Sequence, residues 1–243
     1  MKIEDGVKLD FNDVLIRPKR SNLSSRSQVS LERKITFLHS RREWTGVPLL
    51  VANMDTTGTF ETYRALAPHK MITCLHKHYA VDDYPTDMDP NYYAISTGIS
   101  DADAVKLDAL VSKLNPYFVV VDVANGYSSK FVEFCGSIRE RYPNLTIIAG
   151  NVATSDMVQE LLISARVDVV KCGIGSGSVC STRLKTGVGM PQISVCAECS
   201  EVANGLNGHI VSDGGCQRPG DVAKAFGAGA HFVMMGGMMA GHE

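Results

Sequence analysis

The sequence predicts an α/β fold, a single-domain (β/α)8 TIM barrel, on three observations. Eight near-continuous apolar runs recur along the chain. Most of them start 21 to 27 residues apart, the length of one βα unit. Several of the intervals carry apolar residues at helical spacing. The runs cover residues 48–52, 71–75, 92–96, 118–122, 145–149, 167–171, 209–212 and 231–235. Apolar runs without alternation are what strands buried on both faces require. Eight such strands separated by helices close into a barrel. An open doubly wound sheet is the alternative, but the even spacing and the lack of an early Gly-x-Gly-x-x-Gly weigh against it.

In chain order, residues 1–45 form an N-terminal extension, and the barrel strands run from about residue 48 to 237. Residues 79–91, after the second strand, are thin for a helix. Residues 101–113 read as a helix with Val105, Leu107, Leu110 and Val111 on its apolar face, continued by Leu114. Residues 128–142 do the same with Phe131, Val132, Phe134, Cys135 and Ile138. Further helices are expected from Ser155, over residues 192–204, and from Pro219, where proline suits a first helical position. The interval between the sixth and seventh strands is much the longest. An enlarged loop at the carboxyl face of a barrel is where active sites sit. An eighth helix is absent from this sequence, which ends at Glu243. One flank should therefore expose apolar surface, and we expect the polypeptide to continue past that residue, which an intact mass would check.

Composition narrows the function. The chain has 243 residues, 44% of them hydrophobic, and a net charge of −2, which gives no basis for binding nucleic acid or an anionic membrane. No apolar run has the length of a membrane span. The polar start, Met1 to Gly6, lacks the apolar segment of a signal peptide. Seven cysteines without framework spacing suit free thiols in a reducing, cytoplasmic setting. Cys196 and Cys199 form a CxxC, but on a helix and without a second ligand pair, so helix packing is expected there.

The chemistry concentrates in the loop after the sixth strand. Gly173, Gly175 and Gly177 let the backbone turn and approach a ligand. Ser178, Cys180 and Thr182 follow, with Arg183 next. A thiol must ionise to attack; Arg183 and the loop amides can favour that, and Thr182 can relay a proton. Covalent catalysis on a phosphorylated substrate is the expectation. Asp213, Gly214 and Gly215 end the seventh strand, and Gly236 and Gly237 end the eighth, where barrels bind phosphate through backbone N–H groups. Asp213, itself anionic, suits sugar hydroxyls. Asn53 and Met54, Lys77, Asp122 and Asn125, and Asn151 put further groups at strand ends around one concave site. Lys77 suits an anionic partner.

On these residues the chain closely resembles the family that GMP reductases share with IMP dehydrogenases. The matching stretches are residues 10–21, 52–56, 76–79, 122–127, 149–152, 173–189, 213–216, 219–226 and 236–242. Residues 76–79, 219–226 and 236–242 favour the reductase branch. The resemblance implies NADPH-dependent reductive deamination of GMP to IMP and ammonia, in purine nucleotide interconversion. It implies that Cys180 attacks purine C2 to give a covalent thioimidate, while Thr182, with a glutamate from a later flap, protonates the leaving ammonia. Ser178, Gly214, Gly215, Gly236 and Gly237 would hold the phosphate, Asp213 the ribose, and Met54 and Asn151 would line the nucleotide site. Lys77, Asp122, Val123 and Ala124 would face NADPH, and Ser25 and Arg26 would meet its far end from a neighbouring subunit of a homotetramer. Carbonyls of Gly175, Gly177 and Cys180 would hold a monovalent cation, K+ by family habit. Three departures stand out: Ser176 where the family has proline, which should loosen the loop; Ser181 for threonine; and Met190 for tyrosine. The flap and its glutamate lie outside this sequence. An IMP dehydrogenase-type oxidation with NAD is opposed by the missing regulatory insert. A non-catalytic nucleotide-binding barrel is opposed by Cys180 and Thr182.

Overall fold

A computed structural model describes residues 5–177 and 180–241. Eight parallel strands close the barrel: β3 (Leu49–Val51), β4 (Ile72–Cys74), β5 (Tyr93–Thr97), β6 (Phe118–Asp122), β7 (Thr146–Val152), β8 (Val169–Cys172), β9 (His209–Asp213) and β10 (Phe232–Met235). The ring is closed by β10 against β3, with Val233 beside Leu49 and Met235 beside Val51. Each of the eight apolar runs became a strand. Every residue of β4, β8 and β10 is buried, because both faces of these strands are covered.

The expected helices are α2 (Asp101–Leu114), α3 (Ser129–Arg141), α4 (Ser155–Ile163), α6 (Gln192–Gly205) and α7 (Pro219–Gly227). Ser100 caps α2 reciprocally with Asp103, and Asn115 ends it in the left-handed conformation. Leu107 and Leu110 of α2, and Phe131, Cys135 and Ile138 of α3, are buried against the barrel wall. Residues 79–91 hold one 3-10 turn, Val81–Asp83, in keeping with the thin helical pattern there.

Three elements were not foreseen. A short helix, α1 (Phe60–Leu66), is capped by Thr59, whose hydroxyl accepts from the Thr62 N–H at 3.2 Å. Another, α5 (Thr182–Thr186), lies within the loop after β8. An antiparallel hairpin, β1 (Arg33–Thr36) with β2 (Glu43–Gly46), lies within the N-terminal extension. The hairpin places Phe37 and Trp44 across the amino-terminal ends of the barrel strands, where they pack with Phe118 and Phe232. One end of the barrel is thereby plugged and the opposite end left open to carry the site.

After β10 the described residues hold only a one-turn 3-10 helix, Gly237–Met239. Beside it runs an apolar groove of about 1000 Å³, lined among others by Leu49, Val222, Phe226, Met235 and Met239. This groove is the exposed apolar flank expected from the sequence.

Candidate active site

The loop after β8 presents the thiol. Cys180 is exposed, while Cys74, Cys135, Cys172, Cys196 and Cys199 are buried and Cys216 is half-buried. The Cys180 sulfur lies 3.2 Å from the Thr182 hydroxyl. That hydroxyl, the Thr182 N–H and the charge of Arg183 hold the thiol below its ordinary pKa. Burial does the reverse elsewhere, pushing Cys74, Cys135 and Cys216 up to about 12 and Cys196 to about 11. Of these thiols, Cys180 is the one both accessible and predisposed to ionise.

The loop is held at several points. Arg183 donates to the Met190 carbonyl at 2.6 Å and pairs with Asp10 at 3.5 Å. Gly175 has φ +73°, and a Cβ there would lie 2.6 Å from Arg183 Cγ, so glycine is required on both counts. The extension is also tied to α6 and α7: the Ser194 N–H donates to the Leu9 carbonyl at 3.1 Å, and Lys224 donates to the Phe11 carbonyl at 2.8 Å. Ser176 was expected to loosen the loop. Instead its hydroxyl donates to the Asp213 carbonyl at 3.0 Å, an anchor that proline could not supply.

Gly214 and Gly215 (φ +94° and +88°) follow Asp213. A Cβ on Gly214 would lie 2.6 Å from the Ser176 hydroxyl, and one on Gly215 would lie 2.9 Å from the Phe11 ring. These glycines thus let the end of β9 close onto the loop after β8. Ser178 lies outside the described residues. Gly236 sits against Met54, whose sulfur would be 3.0 Å from a Cβ there, so the ends of β10 and β3 meet. Gly237 opens the final 3-10 turn.

A register shift in β7 between Gly150 and Val152 accompanies a cis Gly150–Asn151 bond. The register shift re-aims side chains. Asn151 points across the mouth, donating to the Gly173 carbonyl at 2.8 Å and to Asp213 at 2.7 Å. Its Oδ1 is buried with no hydrogen-bond partner among the described residues. A buried unpaired acceptor beside an acidic side chain fits a ligand that brings donors, as a nucleotide does.

On the other side, Asp122 ends β6. Burial would raise its pKa, but Lys171 at 2.9 Å and the Asn53 amide at 2.9 Å outweigh that and hold it below the ordinary carboxylate value. Val123 is half-buried and Ala124 exposed on the turn that follows, with Lys77 exposed on the loop after β4. Lys106 clamps that loop, donating to the Lys77 carbonyl at 2.6 Å and to the Tyr79 carbonyl at 2.5 Å. A cation, a carboxylate and an accessible backbone turn together suit the dinucleotide that the resemblance implies. The Gly177 carbonyl accepts the Cys180 N–H at 3.0 Å. A carbonyl has a second lone pair, so it can still serve a monovalent cation. Ser25 and Arg26 lie in an exposed 3-10 turn whose hydrogen bonds are local, so they do not join the site within one chain.

Two residues of this mouth escaped the sequence reading as site groups. Lys171 lies inside an apolar strand, and a charge at such a position was itself the signal. Gln192 starts α6 fully buried, donating to the Cys172 carbonyl at 2.8 Å and to the Ser212 hydroxyl at 3.2 Å.

Known proteins resemble this chain in sequence and fold. A family described as "IMP dehydrogenase / GMP reductase domain" matches residues 8–243. A protein named GMP reductase from Salmonella arizonae is 56% identical over 251 aligned residues, covering 100% of this chain and 72% of the relative. A GMP reductase of Caenorhabditis elegans is 55% identical, covering 100% of this chain and 69% of its own length. The crystal structure of inosine 5′-monophosphate dehydrogenase from Legionella pneumophila superposes with a TM-score of 0.83 at 31% identity, over 97% of this chain and 71% of the other. The chain belongs to the IMP dehydrogenase/GMP reductase family.

Proposed function

We propose that the chain carries the catalytic barrel of an NADPH-dependent GMP reductase. The observation that carries the reading is the exposed Cys180 sulfur 3.2 Å from the Thr182 hydroxyl, on a loop anchored to Asp213. Its relatives at 55% and 56% identity are named GMP reductases, while the dehydrogenase neighbour is at 31%.

In this reading Asp213 binds the ribose hydroxyls of GMP. The N–H groups of Gly214, Gly215, Gly236 and Gly237, with Ser178, bind its phosphate. Met54 and Asn151 line the purine. The Cys180 thiolate attacks purine C2. The bond from C2 to the exocyclic nitrogen breaks, and Thr182 helps to pass a proton to that nitrogen, which leaves as ammonia. A thioimidate joins Cys180 to the purine. NADPH, when bound, supplies the hydride that C2 accepts; the C–S bond then breaks, returning the electron pair to sulfur and releasing IMP. The covalent link divides one hard displacement into two easier steps. The chain's part in the second step is to hold the purine and to orient the nicotinamide through Asp122, Val123, Ala124 and Lys77. Ser25 and Arg26 reach the cofactor of a neighbour in a homotetramer. Carbonyls of Gly175, Gly177 and Cys180 hold K+. The enzyme works in cytoplasmic purine salvage; among the described residues no helix is long and apolar enough to cross a membrane.

The test is to mix the protein with GMP and NADPH and to follow reduced nicotinamide, IMP and ammonia together. Equal consumption of NADPH and formation of both products is expected. NAD-dependent oxidation of IMP with no reaction on GMP would replace this reading with the dehydrogenase one.

A further inference from the structure

We propose that Lys171 is a positioning residue that ties the carboxylates of Asp122 and Asp213 to one another, so that the nucleotide and cofactor sides of the mouth sense each other. The inference rests on the roles just proposed for those two aspartates.

Every residue of β8 is buried, and Lys171 is only 2% exposed. A lysine is rarely accepted in such a strand, because taking an ammonium out of water is costly unless it is paired. Here the pairing is double. Its Nζ lies 2.9 Å from Asp122 Oδ1 and 3.3 Å from Asp213 Oδ2. Burial would lower its pKa, but the two carboxylates outweigh that and hold it charged.

The lysine is also the centre of a longer chain of contacts. Asn53, just after β3, donates to the second oxygen of Asp122 at 2.9 Å. Asn151, on β7, donates to Asp213 at 2.7 Å. Residues from β3, β6, β8, β9 and β7 thus form one line across the barrel mouth, with the single buried ammonium at its middle. The two carboxylates share one cation at unequal distances. A ligand hydroxyl that draws on Asp213 shifts the ammonium's balance toward Asp122, and a change at Asp122 shifts it back. Networks sharing a partner in this way show non-additive energetics. Nothing in this arrangement puts Lys171 in contact with the reacting atoms, so its effect passes through the aspartates.

The experiment compares wild type, Asp122→Asn, Lys171→Met and the double variant. Calorimetry gives the GMP dissociation constant without cofactor, and steady-state rates give kcat and both KM values. In wild-type background Asp122→Asn should change the GMP dissociation constant by about threefold or more, although Asp122 is on the cofactor side. In Lys171→Met background the same substitution should have no further effect. Lys171→Met itself should raise both KM values by about tenfold and lower kcat less. A GMP dissociation constant indifferent to Asp122→Asn, or equally sensitive with and without Lys171, overturns the proposal. If Lys171→Met does not fold, the Asp122→Asn comparison decides alone. A wild type that binds GMP but never oxidises NADPH overturns the reductase reading and leaves the calorimetric comparison to judge the coupling; one that binds no GMP overturns both.

Discussion

The Ser176 hydroxyl donates to the main-chain carbonyl of Asp213 across 3.0 Å, fastening the loop that carries Cys180 to the strand end that carries the proposed ribose ligand. Ser176→Ala deletes this fastening without touching substrate. One neutral hydrogen bond contributes about 0.5–1.5 kcal/mol, so kcat/KM for GMP should fall roughly threefold to tenfold. Thermal stability should barely move. An unchanged kcat/KM means the loop is placed by its other anchors alone.

Alkylation separates the cysteines. Cys180 is exposed and its pKa is lowered, first by the Thr182 hydroxyl; Cys74, Cys135 and Cys216 are pushed up to about 12 by burial. Brief iodoacetamide treatment of the native protein should label Cys180 alone, as peptide mapping reports. Thr182→Val removes the largest influence that lowers the thiol, so its alkylation midpoint should move to higher pH. A midpoint that stays where it was contradicts the part given to Thr182.

Acid should weaken the fold partly through His231. Burial, then the neighbouring His209, lowers its pKa from an ordinary 6.5 to about 4. The neutral ring is required: Nδ1 accepts the Ile210 N–H at 3.1 Å, and Nε2 faces Asn204 Oδ1 at 2.9 Å. Between those pH values the unfolded chain binds the proton and the folded chain does not. Stability therefore falls as pH drops from about 6.5 towards 4, and this group contributes about 1–2 kcal/mol of loss at about pH 5. Urea unfolding of His231→Gln should show a lower stability near neutral pH but a shallower fall on acidification. An equally steep fall would assign the acid sensitivity to other groups.

The plugged end of the barrel has its own buried ion pair. Arg139 reaches Asp168 at 2.5 Å and donates to the carbonyls of Arg166, Pro143 and Leu145. Asp168 also accepts the N–H groups of His39, Ser40 and Ile147, joining the extension to β7. Arg139→Met leaves the carboxylate without its cation and should cost about 3–5 kcal/mol in urea unfolding. A loss below about 1 kcal/mol would mean the three N–H groups suffice.

Much of this was legible in the sequence because buried parallel strands are written as uninterrupted apolar runs. Phe118 to Val121 could hardly be anything else. The hairpin was not legible: in β1 only Ile35 is even half-buried, and the rest of its residues are exposed. Its contribution comes from Phe37 and Trp44, which meet the barrel only in three dimensions. Helix α1 left a faint mark, the Thr59 cap with Phe60 and Tyr63 three apart, too short to stand out. At the mouth, Cys180, Thr182, Asp122, Asn151 and Asp213 announced themselves by chemistry at strand ends. Lys171 left one signal, a charge inside an apolar strand, but its meaning depends on two carboxylates from strands 49 and 42 residues away. The reason for Gly214, room for Ser176, likewise needed the fold.

The central claim is that the Cys180 sulfur forms the bond to the purine. The most direct measurement is GMP-dependent NADPH oxidation by Cys180→Ala beside wild type, with GMP binding measured on both. Loss of oxidation with GMP affinity within about threefold of wild type is the predicted result, since the substitution removes a transition-state contact and little ground-state binding. Oxidation that continues at the wild-type rate in Cys180→Ala would contradict the account.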